Sequence, residues 1–238
     1  MPDIITNTID FCHNNLWADE EVISYLKDVR NITSVTAKEW KLGAFPKNPH
    51  LIVNLYDLIK DDKQAYAILK KTQTGAESPF SVNRLIIPIN DCYGNPEAII
   101  GRQLGSTSDD FPKYWNTPYK KSKSLFGLDK AKSSIVRSGM VFIVEGNFDV
   151  ITAHQAGLTN VVGASSANLS KSQLLLAARY AEEIIIAFDA DEAGQQSYQR
   201  IVAKYSDFAK KIGVKLSAYH INHGKDLDEQ IRKRGITW

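Results

Sequence analysis

Cysteine is scarce in this chain of 238 residues, which holds only Cys12 and Cys92. The two lie far apart in sequence, and neither has a neighbouring cysteine or a group of histidines beside it. This pattern argues against a disulfide framework and against a cysteine-rich zinc site. We therefore expect two reduced, partly buried thiols and no zinc cofactor.

Long apolar runs are also missing. No segment approaches the roughly 20 apolar residues that span a bilayer, and the opening residues lack a basic start and a small-residue cleavage site. A signal peptide is therefore not predicted. We expect a cytoplasmic protein without a membrane partner.

A large excess of charge of either sign is absent too. The net charge of +2 neither demands nor excludes a nucleic-acid partner. The hydrophobic fraction of 43% and the charged fraction of 24% are typical of a globular protein. The chain is long enough to bury one good core, or two small ones, without disulfides or a structural metal. The positions of the charges are therefore more informative than their sum.

The first half of the chain predicts an α+β region. Asp19 precedes the stretch EEVISYLKDVR, which predicts an N-capped amphipathic helix. The apolar stripe of that helix is expected to contain Val22, Tyr25, Leu26 and Val29. Two strands are predicted from RLIIPI (84–89) and EAIIGRQL (97–104), joined by the turn-rich segment NDCYGNP.

From about Gly139 onward, apolar strands alternate with helices. The order is MVFIVE, NFDVITAHQAG, NVVGA, SKSQLLLAARYA, EIIIAFD and a long helix from about Glu192 to Lys211. Such alternation predicts right-handed βαβ crossovers and a mostly parallel sheet flanked by helices. The fold class is therefore α/β, with the ligand site at the carboxyl ends of the strands.

Glu145 closes the strand MVFIV, and Gly146 follows it, so the carboxylate is expected to emerge at the sheet edge. Asp149 lies one helical turn later and can face the same point. An alternative of equal weight is that Asp149 simply interacts with the dipole of its helix.

Two further acidic pairs follow strands. Asp189 and Asp191 end the strand EIIIAF, and residues two apart in extended chain project to one side, where both can address one hard cation. The alternative is that Asp191 only caps the next helix. Asp226 and Asp228 repeat this spacing in GKDLDE after the strand VKLSAYHI. In isolation, a solvated acidic face is the favoured alternative for that pair.

Three acidic clusters at one sheet edge are costly through like-charge repulsion unless cations neutralise them. Ligand sets rich in oxygen suit Mg²⁺ or Mn²⁺. Two such ions can activate a 3′-hydroxyl and stabilise a leaving pyrophosphate. The sequence therefore predicts metal-dependent phosphoryl transfer, with two or more ions held by Glu145, Asp149, Asp189, Asp191, Asp226 and Asp228.

These motifs resemble the toprim fold, in which a Glu motif precedes a D-x-D motif. More narrowly, VEGNFDVITAHQAG, IIIAFDADEAGQQ and GKDLDE resemble the RNA-polymerase core of bacterial and phage DnaG-type primases. In the first half, NRLIIPI, IIGRQL, FPKYWNTP (111–118) and SLFGLDKAK are similar to segments of the same family. The resemblance covers nearly the whole chain, and it implies Glu145, Asp189 and Asp191 as the catalytic residues.

The resemblance also implies a basic groove that contacts nucleoside triphosphates, the single-stranded DNA template and the primer. Its residues would be Arg84, Arg102, Lys113, Tyr114 and Asn116, since Arg forks phosphate and a Lys-Tyr pair offers a charge and a stacking face. The alternative is that the two arginines are ordinary strand-edge residues and that Tyr114 and Trp115 are core aromatics.

The family usually carries a zinc-binding domain and a helicase-binding region, and this sequence contains motifs for neither. A replicative helicase or a separate zinc-binding initiation protein is therefore a candidate partner. We predict a basic primase-core subdomain over residues 1–123 and a toprim domain over residues 124–238. A bacterial cell or a phage-infected host is the expected setting.

The leading hypothesis is a DNA primase core that makes short primers by template-directed nucleotidyl transfer. A toprim-type nuclease is the second hypothesis, because it uses similar carboxylates to cleave phosphodiesters. A replication accessory protein that binds nucleic acid through a vestigial site is the third. Primer length, the template trigger and the choice between ribose and deoxyribose substrates are left open by the sequence.

Overall fold

The computed structural model describes residues 4–61, 68–72, 75–105, 112–166 and 168–234. The chain divides into two compact units. The first unit comprises Met1–Ile89 and Pro96–Tyr119, and the second comprises Asn90–Asn95 and Lys120–Trp238. The short segment at residues 90–95 therefore groups with the second unit, although it connects two strands of the first sheet.

The first unit begins with helices. Their bounds are α1 Ile4–Leu16, α2 Glu20–Ser24, α3 Ser34–Glu39 and α4 Pro49–Ile59. Asp19 caps α2 as predicted, since its carboxylate accepts a hydrogen bond from the backbone N–H of Val22 at 3.1 Å. Cys12 of α1 is fully buried, and burial raises its thiol pKa to about 12.

The prediction that one regular helix places Val29 on the apolar stripe is wrong. A π-helical turn over Tyr25–Val29 follows α2, and the N–H of Arg30 bonds the carbonyl of Tyr25, five residues back. The extra residue in this turn shifts the phase of the stripe. Tyr25 and Leu26 are buried, whereas Val29 is 52% exposed.

The four-stranded sheet of the first unit contains antiparallel strand pairs. Its strands, in spatial order, are β1 Gly43–Ala44, β4 Leu85–Asn90, β5 Pro96–Arg102 and β6 Tyr114–Asn116. A separate antiparallel hairpin consists of β2 Lys70–Thr72 and β3 Gly75–Glu77. The two strands predicted from RLIIPI and EAIIGRQL are confirmed as β4 and β5. Helix α1 and both strands contribute to a core that includes Ile9, Phe45, Phe80, Ile86 and Ile99.

The second unit contains a parallel sheet in the order β10-β9-β7-β8. The strands are β7 Met140–Val144, β8 Val161–Gly163, β9 Glu183–Ile186 and β10 Lys215–Ala218. The helices are α5 Leu128–Ser138, α6 Asn147–Gln155, α7 Lys171–Ala177, α8 Glu192–Lys211 and α9 Leu227–Arg234. The predicted α/β class, the parallel sheet and the bounds of the long helix are confirmed.

Apolar runs explain why these strands form the centre of the unit. Val141, Ile143, Ile184 and Ile186 are at most 1% exposed, as expected for parallel strands covered by helices. Gly139 adopts a positive φ of 71° at the end of α5, a conformation that lets the chain turn directly into β7. Along the parts of the chain that the structure describes, no helix combines the length and apolarity needed to cross a membrane.

Candidate metal centre

Glu145 is the first residue after β7, the strand that lies between β8 and β9. Its side chain is half-buried, and burial is the main cause that raises its pKa. The charge of Asp191 raises this pKa further, whereas a hydrogen bond from the backbone N–H of Asp189 opposes the rise. Glu145 therefore contacts the loop after β9 at the carboxyl edge of the sheet.

Asp149 lies in the first turn of α6, and its carboxylate accepts two backbone hydrogen bonds. Oδ2 accepts from the N–H of Gly146 at 3.0 Å, and Oδ1 accepts from the N–H of Asp228 at 2.9 Å. A Cβ atom at residue 146 would stand 2.5 Å from Asp149 Oδ2, which explains the glycine. Burial, followed by the charge of Asp226, raises the pKa of Asp149 to about 8. Asp149 is therefore both a capping residue and a member of the acidic group.

Asp189 and Asp191 occupy the loop between β9 and α8. Asp191 is the N-cap of α8, as the alternative predicted, because Oδ1 accepts from the N–H of Gly194 at 2.8 Å. Asp189 is half-buried. Burial, then the charges of Glu145 and Asp226, raise the pKa of Asp189 to about 7. Charges from all three acidic motifs therefore act on Asp189.

The third motif, GKDLDE, lies beside the second. The backbone N–H of Ala190 donates to the carbonyl of Lys225 at 2.8 Å, which joins the two loops. Asp226 Oδ1 accepts from the N–H of Glu229 at 2.7 Å and so caps α9. Asp228 is only 1% exposed, so the alternative of a solvated acidic face is wrong for this residue.

The donors at this edge suit a hard divalent cation. The charges of carboxylates from three segments contribute to the raised pKa values of Glu145, Asp149 and Asp189, and a cation relieves such repulsion. Within the described residues, no three His, Cys, Asp or Glu side chains converge closely enough to form a ready-made ion site. Repulsion between charges acts over longer distances than a coordination bond. The carboxylates can therefore raise pKa values at this edge although no three of them converge on one point.

The raised pKa values predict that the metal-free protein loses stability as pH rises. A carboxyl whose folded pKa lies above its unfolded value of about 4 binds more protons when folded. The contribution of such a carboxyl to the stability of the fold is fully present below the unfolded pKa. It is lost as pH rises through the folded pKa, which is about 7 for Asp189 and about 8 for Asp149. We expect the melting temperature of the metal-free protein to fall by about 5 °C between pH 5 and pH 8.

Thermal melts in EDTA and in Mg²⁺ at both pH values measure this effect. Mg²⁺ should raise the melting temperature at pH 8, because the ion binds the ionised carboxylates. Asp189→Asn should show a smaller change with pH in EDTA. Equal metal-free stability at the two pH values would contradict the assignment.

Arg84, predicted to bind nucleic acid, belongs to the first unit. It is 5% exposed, and its guanidinium pairs with Asp19 and, at 2.8 Å, with Glu21. It also donates to the carbonyl of Phe45 at 3.1 and 3.2 Å. Its charge is therefore balanced by carboxylates of its own unit, and a phosphate would compete with them for this guanidinium.

Arg102 is also buried, and its guanidinium supports two tyrosines. Nε donates to the hydroxyl of Tyr25 at 2.8 Å, and Nη1 donates to the hydroxyl of Tyr114. The guanidinium carbon lies 5.0 Å from the centroid of the Tyr114 ring. Arg102 therefore fixes the position of Tyr114.

The aromatic residues of β6 are exposed and are not core residues. Tyr114 is 38% exposed and Trp115 is 42% exposed, which makes the core alternative wrong for both. Lys113 is exposed, and its Nζ lies 6.0 Å from the Tyr114 ring centroid. Asn116 is half-buried at the end of the strand. Phe111, the first residue of FPKYWNTP, lies outside the described residues.

Sequence reasoning missed three residues that shape the acidic edge. Gly194 lies where a Cβ atom would stand 2.0 Å from the carbonyl oxygen of Asp189. Thr152 and Arg232 both bond the carboxylate of Asp228. A glycine in the first turn of a long helix, and an arginine four residues after a buried aspartate, are the signals that could have identified them.

Comparisons with known proteins match the two halves of the chain to two different families. A family described as "DNA primase catalytic core, N-terminal domain" matches residues 11–132, about half of the chain, and a "Toprim-like" family matches residues 142–231. The chain belongs to the DNA primase catalytic-core family. Both acidic motifs that follow β7 and β9, and the third motif before α9, fall within the Toprim-like match.

Curated primases are similar to this family member over most of its length. The DNA primase of Synechococcus elongatus is 32% identical over an alignment of 229 positions that covers 90% of this chain and 32% of that protein. The DNA primase of Synechocystis is 32% identical over an alignment of 243 positions, gaps included, that covers 96% of this chain and 38% of that protein. The chain therefore spans about a third of the length of these primases.

Solved primase structures share the fold. A crystal structure of the zinc-binding and RNA polymerase domains of the Aquifex aeolicus primase superposes with a TM-score of 0.84 at 29% identity, covering 98% of this chain and 57% of that one. The RNA polymerase domain of the Mycobacterium tuberculosis primase, in complex with double-stranded DNA, gives 0.83 at 25% identity, covering 98% and 76%. The primase-core fold therefore extends through both units.

Proposed function

We propose that this primase-family chain is the catalytic core of a DNA primase. It would join nucleoside triphosphates on a single-stranded DNA template, with release of pyrophosphate, and make short primers for DNA replication. The observation that carries this proposal is that the charges of Asp191 and Asp226 contribute to the raised pKa values of Glu145, Asp149 and Asp189 at one edge of a Toprim-like sheet. The match of the first half to a primase core favours polymerisation over cleavage.

We propose that Glu145, Asp189, Asp191 and Asp226 hold Mg²⁺ or Mn²⁺, with Asp149 in support. Two or more bound ions would supply charge stabilisation for an in-line displacement at phosphorus. The fit rests on the donor chemistry, since the carboxylates lie at one sheet edge and their mutual repulsion calls for a cation. Asp228, predicted to join this set, is instead bonded to Thr152 and Arg232.

Glu145 is proposed to accept the proton of the attacking 3′-hydroxyl. The new bond forms between that oxygen and the α-phosphorus, and the bond to the pyrophosphate oxygen breaks. The raised pKa of Glu145 suits proton transfer near neutral pH better than an ordinary exposed glutamate does. The Asp189 N–H holds the carboxylate in place while the proton moves.

The first unit is proposed to bind the substrates and the nucleic acid. The exposed pair of Lys113 and Tyr114 offers a charge for phosphate and a face for stacking, and Arg102 holds that face from behind. Asn116 and Arg84 complete the proposed set. Arg84 would contribute only if a phosphate displaced Asp19 or Glu21. A replicative helicase and a zinc-binding initiation module remain the proposed protein partners.

Synthesis of new primers tests this function directly. Labelled nucleoside triphosphates and random single-stranded DNA are incubated with the protein in Mg²⁺ or Mn²⁺, and both oligonucleotides and pyrophosphate are measured. Asp189→Asn should lower synthesis by about 100-fold or more, because it removes a charge that the transition state requires. Glu192→Gln is the matched control, since this exposed carboxylate begins α8 and accepts a hydrogen bond from Gln196 at 3.0 Å.

Two outcomes would count against the proposal. A folded protein that makes no dinucleotide on any template, with either metal, would argue for a nucleic-acid-binding accessory role. Metal-dependent cleavage of DNA or RNA without nucleotide incorporation would instead favour a toprim-type nuclease.

A further inference from the structure

Asp228 differs from the other acidic residues in what its carboxylate contacts. Oδ1 accepts from the Thr152 hydroxyl at 2.7 Å and from Arg232 Nε at 3.1 Å, and Oδ2 accepts from Arg232 Nη2 at 3.1 Å. Its side chain is 2% exposed, and that of Arg232 is 27% exposed. The buried carboxylate therefore already has a hydroxyl donor and a bidentate cation of this chain as partners.

These contacts tie α6 to α9. Thr152 lies on α6 three residues after Asp149, and Arg232 lies on α9 four residues after Asp228, so each pair shares a helix face. The backbone N–H of Asp228 donates to Asp149 Oδ1 at 2.9 Å. The Asp228 side chain and its backbone therefore bind α6 at two successive turns.

We infer that Asp228 is a positioning residue and not a cation ligand: with Thr152 and Arg232 it locks α9 onto α6 and so fixes Asp149 and Asp226. A divalent ion bound to Asp228 would stand beside the guanidinium of Arg232, and like charges repel at that range. This inference deepens the proposed metal centre and revises the sequence prediction for Asp228. It rests on the proposed function only for the identity of the ligands.

The two roles predict opposite changes in the stability of the metal-free protein. A carboxylate that serves only as a cation ligand repels its acidic neighbours, so removing its charge stabilises the protein without metal. A carboxylate that pairs with a partly buried arginine stabilises the fold, and neutralising Asp228 removes a counter-ion of Arg232, which we expect to outweigh the relief of its repulsion with Asp149. The melting temperature in EDTA therefore separates them.

Asp228→Asn and Asp226→Asn form a matched pair two residues apart. In EDTA, we expect Asp228→Asn to lower the melting temperature by about 6 °C or more, the scale for breaking a buried pair in a chain of this size. Asp226→Asn should leave it unchanged or raise it, because asparagine keeps the cap on the Glu229 N–H and removes a repelling charge.

Substitutions of Arg232 and Thr152, the partners of Asp228, test the same contacts between α6 and α9. Arg232→Met should destabilise the metal-free protein, and Asp228→Asn combined with Arg232→Met should cost less than the sum of the two single changes. Thr152→Ser keeps the hydroxyl and should melt near the wild type, whereas Thr152→Val removes it. These two substitutions are mild enough to keep the test open if Asp228→Asn does not fold.

Mn²⁺ binding, measured by calorimetry below the melting range, separates a positioning role from a purely structural one. Asp226→Asn should lower Mn²⁺ affinity by about 10-fold or more as a lost ligand. Thr152→Val should lower it by a smaller factor through misplaced Asp149 and Asp226, and Thr152→Ser should restore it. These measurements need no polymerase activity. A negative result in them is therefore distinguishable from a negative result in the primase assay.

The inference is overturned by either of two results. One is an Asp228→Asn protein that melts in EDTA at or above the wild-type temperature. The other is a Thr152→Val protein that binds Mn²⁺ as tightly as Thr152→Ser does. A fall in metal-free stability for Asp228→Asn, coupled to Arg232, together with rescue by Thr152→Ser, supports it.

Discussion

Glu145→Gln is expected to lower nucleotide incorporation by about 100-fold or more, the scale for loss of a positioned proton acceptor. Glutamine has the same shape and still accepts the hydrogen bond from the Asp189 N–H, but it can neither hold the proton nor contribute charge to a cation. The metal-free protein should melt at the same temperature or higher, because one of the mutually repelling charges is gone. Activity is therefore expected to fall without a loss of stability.

Rates of incorporation at saturating Mg²⁺, with melting temperatures in EDTA, measure both halves of this prediction. Glu182→Gln is the control, since Glu182 is exposed just before β9 and lies outside the proposed centre. Unchanged incorporation by Glu145→Gln would remove Glu145 from the chemistry and revive the vestigial-site hypothesis.

Gly194→Ala is expected to lower incorporation by about 100-fold, the cost of displacing reacting groups by about 1 Å. The new methyl would stand 2.0 Å from the carbonyl oxygen of Asp189 and 2.8 Å from its carbonyl carbon. Both neighbours are backbone atoms, so the loop itself has to move. The Asp191 cap on the Gly194 N–H would move with it.

The sign of the stability change makes this test specific. Alanine is the better helix former, so without the steric conflict this substitution would stabilise α8 by up to about 1 kcal/mol. We expect destabilisation by about 1–3 kcal/mol instead, as for other overpacked sites. Gln196→Ala, at an exposed position of the same helix, should keep both stability and activity. Denaturant titration and the incorporation assay together decide the question, and a more stable, active Gly194→Ala protein would contradict the close approach.

Elements with a simple period and a clear cap could be predicted from the sequence. The helix α8 begins at Glu192 and ends at Lys211, as expected from the Asp191 cap and the amphipathic pattern that follows. The parallel strands follow from buried runs such as EIII and MVFIV. By contrast, the π-helical turn at Tyr25–Val29 changes the helical period, and no residue type in this segment predicts such a turn.

The acidic edge could be predicted as a set of positions but not as a set of partners. The order of motifs places Glu145, Asp189 and Asp226 after parallel strands, which determines their shared edge. The sequence does not show which carboxylate pairs with an arginine of the chain itself, because this depends on contacts between distant residues. Thr152 and Asp228, for example, are 76 residues apart. The pairing of Arg84 with Asp19 joins residues 65 apart, and it could not be predicted from the sequence either.

The strand order β10-β9-β7-β8 has a consequence for how the protein is made. The strand β7 is synthesised before β9, its neighbour on one side, and before β10, which pairs with β9. The acidic group around Glu145 is therefore incomplete until residue 226 has been synthesised and α9 has packed against α6. Contacts so distant in sequence form slowly. The proposed metal centre would therefore bind divalent ions only weakly in a nascent chain that still lacks the third acidic segment.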